Sequence, residues 1–139
     1  MKKYSLILCI IVLGLLAGCQ TAKKNILDSD AGSQVKMRAM QTRYFDTGDK
    51  KKTLQTVIAT LQDLGFVIDK ASFQLGSVSA TKFSGARIRM TVVAIPRGEK
   101  QTTIRANAQY GLSPINDPDI YQSFFQALSK SMFLAAHTE

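Results

Sequence analysis

Leu54-Gln55-Thr56-Val57-Ile58-Ala59-Thr60-Leu61-Gln62-Asp63-Leu64-Gly65-Phe66-Val67-Ile68 is the stretch on which the fold turns. Leu54, Val57, Ile58, Leu61 and Leu64 recur at i, i+3, i+4, i+7 and i+10, which is one apolar stripe on a helix. Asp49 supplies an N-cap, and Gly65 stands where a helix ends in a left-handed residue. The change from helical spacing to the β-rich Phe66-Val67-Ile68 then predicts a helix running directly into a sheet.

Downstream, Leu75 to Thr81 alternates, with Val78 and Ala80 on one side and Ser77, Ser79 and Thr81 on the other. Ser84-Gly85 marks a turn into Arg87–Ile95, where Ile88, Met90, Val92 and Ala94 oppose Arg87, Arg89, Thr91 and Val93. Pro96-Arg97-Gly98 marks another turn, and Thr102–Tyr110 alternates again, so these two strands read as an antiparallel hairpin. After a loop around Gly111 and Pro114, Asp117 caps a second helix with Pro118 at its first position. Tyr121, Phe124, Phe125, Leu128, Met132 and Ala135 form its apolar stripe, whose spacing marks core rather than a ligand pocket.

Upstream, Val35–Phe45 carries β-compatible residues and reads as a first strand, although Met40 interrupts its alternation. The predicted order is β-α-β-β-β-α. The fold class is α+β: a two-layer sandwich of about four antiparallel strands, with both amphipathic helices on its apolar face and a polar outer face.

Residues 20–34 are polar and small, without periodicity, and read as a flexible tether with a reach on the order of 20 Å. Before them, Lys2 and Lys3 precede an apolar run from Ser5 to Leu16 and then Leu16-Ala17-Gly18-Cys19, the three regions of an export signal. The run is short of the roughly 20 residues that cross a bilayer. Leu16-Ala17-Gly18-Cys19 resembles the lipobox of bacterial lipoproteins. That resemblance implies cleavage before Cys19, acylation of its thiol with palmitate-like chains, and membrane anchoring through lipid. Gln20 replaces the aspartate that signals inner-membrane retention in such proteins, so the resemblance favours the outer membrane, with the domain facing the periplasm.

The expected organisation is therefore a signal peptide at 1–18, acylated cysteine and tether at 19–34, and one domain at 35–139. Removal of the leader discards Cys9 and leaves no disulfide, so an exported domain of this size must rely on its core. With 139 residues, 45% of them hydrophobic and 20% charged, a multidomain enzyme and a disordered polymer are both excluded. The net charge of +8 would suit a nucleic acid, but export removes that partner and leaves anionic lipid, envelope polymer or acidic protein.

The inventory for chemistry is thin. His137 is the sole histidine and lies near the end of the chain, which leaves neither a triad nor a metal ligand set. Asp117 and Asp119 flank Pro118, where capping and the helix dipole account for both. Catalysis, metal and cofactor are thus not expected.

Lys50-Lys51-Lys52 opens the first helix, where the dipole disfavours cations. It reads either as an anion-facing corner or as a solvated charge run. Arg87, Arg89 and Arg105, with Asn107 and Gln109, project from the outer sheet face, as a docking surface or as a solvated face.

Leu61-Gln62-Asp63-Leu64-Gly65-Phe66-Val67-Ile68 followed by Leu75-Gly76-Ser77-Val78 resembles the helix-grip modules in accessory lipoproteins of the outer-membrane β-barrel assembly machine, over about half the chain. Those proteins carry two such modules where this chain has one. The resemblance implies a non-catalytic binding or assembly component of an envelope complex; the alternative is a carrier of a small hydrophobic ligand or lipid.

Overall fold

The computed structural model describes residues 32–137, so the leader, Cys19 and residues 20–31 of the expected tether lie outside the described residues. The described residues from Met37 onward form a compact unit by themselves. The described part of α1 covers residues 32–40. It is followed by β1 (Thr42–Phe45), α2 (Lys50–Asp63), β2 (Val67–Ser72), β3 (Ser77–Ser84), β4 (Ala86–Arg97), β5 (Gln101–Tyr110), β6 (Ser113–Pro114) and α3 (Pro118–His137). The class is α+β, with an antiparallel sheet in the order β1-β5-β4-β3-β2 and β6 paired to β5.

The expected helix forms as its sequence dictates. The Asp49 carboxylate accepts from the Lys52 N–H at 2.9 Å, and Gly65 adopts a φ of 80° just past the end. Thr53, Thr56 and Thr60 are buried, yet their hydroxyls donate to the carbonyls of Asp49, Lys52 and Thr56, so burial strands no donor. Lys82 from β3 donates to the Leu64 carbonyl at 2.8 Å, placing a cation at the negative end of the α2 dipole.

The core joins one sheet face to α2 and α3. Val78, Ala80, Met90, Val92, Ala94, Ile104, Ala106 and Ala108 share that face. Leu54, Val57 and Leu61 from α2 and Tyr121, Phe124, Phe125 and Leu128 from α3 close over it. The aromatic run of α3 is core, and Phe124 meets Phe125 edge to face at 5.1 Å.

Three expectations are corrected. Val35–Phe45 is not one strand: residues 32–40 are helical, including the last three residues of the expected tether, and only Thr42–Phe45 pair with the sheet. Met37, Met40 and Gln41 are half-buried at i, i+3 and i+4, so Met40 breaks the strand alternation because it keeps a helical one. Secondly, the strand expected at Phe66-Val67-Ile68 starts at Val67 and runs on through Ser72. A register shift between Ile68 and Lys70 breaks its period, and its place at the edge of the sheet leaves it mostly exposed. Thirdly, β4 runs through the expected turn to Arg97, and with β2 and β3 as separate strands and Ser113–Pro114 as a two-residue addition the sheet has six strands rather than about four. Pro96 fits inside β4 because it pairs with Thr102 of β5, while β3 pairs with β4 only as far as Val93.

Candidate functional site

The sheet face turned away from the helices is built by alternation. Arg87, Arg89, Thr91, Val93, Ile95 and Arg97 occupy it on β4, opposite Gln109, Asn107, Arg105, Thr103 and Gln101 on β5 from Arg89 onward. Thr42 and Tyr44 extend it on β1, and Ser77, Ser79, Thr81 and Phe83 on β3. The structure therefore brings Arg87, Arg89 and Arg105 together on one face, each exposed. Arg97 joins them, and so does Lys70, which pairs with Ser79 from β2.

Two arginines lie over exposed aromatic rings at opposite ends of this face. The Arg97 guanidinium is 5.3 Å from the Tyr44 ring centre, and that of Arg87 is 5.9 Å from Phe83. Between them stand the Ser79 and Thr91 hydroxyls, 3.3 Å apart, together with Asn107, a half-buried Val93 and an exposed Ile95.

The carboxylates nearby are already engaged. Asp69 accepts from the Thr81 hydroxyl at 2.6 Å, and Asp46 from the Gln101 amide at 3.3 Å. Among the described residues, Arg87, Arg89, Arg97 and Arg105 make no ion pair.

Thr103 lies on this face but is buried beneath its neighbours, 5% exposed, and its Oγ1 has no hydrogen-bond partner among the described residues. A buried hydroxyl without a partner loses its hydration for nothing. Thr103→Val is expected to raise unfolding free energy by about 1 kcal/mol, measured by denaturant titration, whereas a loss of stability would show that the hydroxyl is satisfied in solution.

The lysine run is placed elsewhere. Lys50 crosses from the start of α2 to the β2–β3 turn, where its Nζ donates to the Gln74 carbonyl at 2.8 Å, so this cation against the dipole has a structural reason. Lys51 is exposed, and Lys52 lines a cleft. The two basic groups singled out in the sequence thus do not form one patch.

Clefts open at both ends of the α2–α3 layer. One of about 560 Å³ lies among Phe45, Thr53, Thr56, Met132 and Phe133, and one of about 290 Å³ among Phe66, Ile88, Ile120 and Phe124. Among the described residues, no three His, Cys, Asp or Glu side chains come together as metal ligands, and no helix is long and apolar enough to cross a membrane.

Comparison with protein-family models and with curated proteins gives no match to this chain.

Sequence reading missed Arg97, Lys70, Tyr44 and Phe83 as members of the outer face. Arg97 was legible, since it continues the odd-numbered alternation of Arg87 and Arg89 past Pro96. Lys70 was hidden by the register shift in β2, and Tyr44 by misreading α1 and β1 as one strand.

Proposed function

We propose that this chain is a bacterial lipoprotein, cleaved before Cys19, acylated there, and held at the outer membrane with its α+β domain in the periplasm. It acts as a non-catalytic binding or assembly component of an envelope complex. The observation that carries the binding role is the outer sheet face. It presents Arg87, Arg89, Arg97 and Arg105 to solvent, and no described part of the compact unit covers it. The anchor rests on Leu16-Ala17-Gly18-Cys19 after an apolar run, and the assembly role on the likeness to helix-grip modules.

The rival reading, a carrier of a hydrophobic ligand or lipid, is favoured by the cleft of about 560 Å³ beside Phe45 and Met132. A delipidating extraction followed by mass spectrometry separates the two, since a carrier releases a stoichiometric apolar ligand beyond its own acyl chains.

The anchor is tested in cells with a C-terminally tagged chain fed an alkyne palmitate analogue. The tagged protein is expected to carry the label and to fractionate with outer membrane. Cys19→Ala is expected to lose the label, and an unlabelled wild-type chain overturns the lipoprotein reading. Crosslinking from native membranes then tests the complex. A defined envelope assembly recovered only with the anchored form is the expected result; recovery of no partner removes the assembly role.

A further inference from the structure

We propose that the outer face of the sheet lies on a bilayer surface containing anionic phospholipid, which turns α2, α3 and their clefts toward the periplasm. This rests on the membrane-anchored reading and names what the basic face touches.

Charge is the first argument. Lys70, Arg87, Arg89, Arg97 and Arg105 share the face, and its carboxylates, Asp69 and Asp46, stand at opposite edges and accept from neutral donors. From Arg87 to Arg97 the cations spread over about 33 Å of strand, rather than converging as they would around one bound anion. A spread of single positive charges matches a surface of many separate phosphates.

The placement of apolar groups is the second argument, and it separates lipid from an acidic protein. Protein interfaces put apolar anchors at the centre and polar groups at the rim. Here the exposed apolar groups lie outside: the centre is Ser79, Thr91 and Asn107 with a half-buried Val93 beside them, while Tyr44, Val67, Phe83 and Ile95 stand toward the margins at 57%, 65%, 72% and 42% exposure. At two of those margins a guanidinium lies over the aromatic ring, as Arg97 over Tyr44 and Arg87 over Phe83. An aromatic body with a cationic group beside it is suited to the boundary between acyl chains and headgroups.

The chain contains no tryptophan, so Tyr44→Trp installs a single indole fluorophore on the face. The acylated chain, residues 19–139, is reconstituted on phosphatidylcholine vesicles with and without phosphatidylglycerol. With phosphatidylglycerol present, the indole emission is expected to shift to the blue and to be quenched by brominated acyl chains, and added salt is expected to reverse both. Arg87→Gln/Arg89→Gln/Arg105→Gln is expected to weaken the response on the order of 100-fold, with Arg89→Gln alone several-fold and the triple Arg→Lys variant close to wild type. Indole emission that is the same on both vesicles, or a response that survives the triple glutamine variant, overturns the proposal; so does binding only to an acidic protein. Flotation with pure phosphatidylcholine vesicles reports the Cys19 anchor separately. A chain that fails to float overturns the lipoprotein reading and leaves the face testable by titration with phosphatidylglycerol vesicles.

Discussion

Gly76→Ala is expected to destabilise the domain by about 3 kcal/mol, while Gly85→Ala costs about 1 kcal/mol, both measured by denaturant titration. The two glycines share a left-handed backbone, with φ of 70° and 72°, so the strain of adding a side chain in that conformation is the same for both. Their surroundings differ. A Cβ at Gly85 would meet nothing within 4 Å, whereas at Gly76 it would lie 2.6 Å from the Ala94 carbonyl oxygen and 2.8 Å from Lys50 Cε. Relief requires the backbone to move away from β4, and Gly76 O accepts from the Ala94 N–H at 2.8 Å there. It also displaces the Lys50 stem, whose ammonium holds the Gln74 carbonyl. The difference between the two variants thus isolates the close approach from the backbone strain. Equal losses would show that the β2–β3 turn relaxes freely and that Lys50 is not seated against it.

That same corner shows what the sequence could and could not disclose. The helix 50–63, its caps, the alternation of β3 to β5 and the aromatic stripe of α3 follow from short-range periodicity, and they form with the expected faces. Lys50 was legible only as an anomaly, three cations against a helix dipole. Its partner is a carbonyl 24 residues away, which no local pattern encodes. Edge elements were the least legible part of the fold. β1 and β2 present little buried apolar surface, so alternation is not enforced on them; the helical turn at Met37–Gln41 shows only as the break at Met40, and the register shift at Ile68–Lys70 goes unannounced. For the site, Arg87, Arg89 and Arg105 were legible because they lie on central strands. Arg97 continues the same alternation past Pro96, whereas the aromatic margins needed strand ends, which local sequence marks poorly.

Tyr121→Phe is expected to cost about 3 kcal/mol, with a fall in Tm of roughly 10–20 °C for a domain of this size. Tyr121 is 1% exposed, and its hydroxyl does three things. It donates to the Ile115 carbonyl at 2.8 Å, accepts from the Ala108 N–H at 3.2 Å, and accepts from the Gln41 amide at 3.2 Å. The position of these bonds explains their weight. The outer edge of β5 is paired with β1 up to Arg105, continued by the Ala106 N–H to the Gln41 carbonyl, and resumed by β6 at Gln109. Between these two partners the Ala108 N–H meets no strand among the described residues, and the Tyr121 hydroxyl takes the place of one. Phenylalanine fills the same volume, so packing is kept while a buried N–H and a buried carbonyl lose a partner together; each such loss costs about 1–3 kcal/mol. Amide exchange gives the sharper test: the Ala108 N–H is expected to lose protection in the variant while the Asn107 N–H, which faces Thr91 in the intact β4–β5 ladder, keeps its own. Unchanged stability and protection would mean that water enters and replaces the hydroxyl, and that β1 and β6 are held on β5 by their ladders alone.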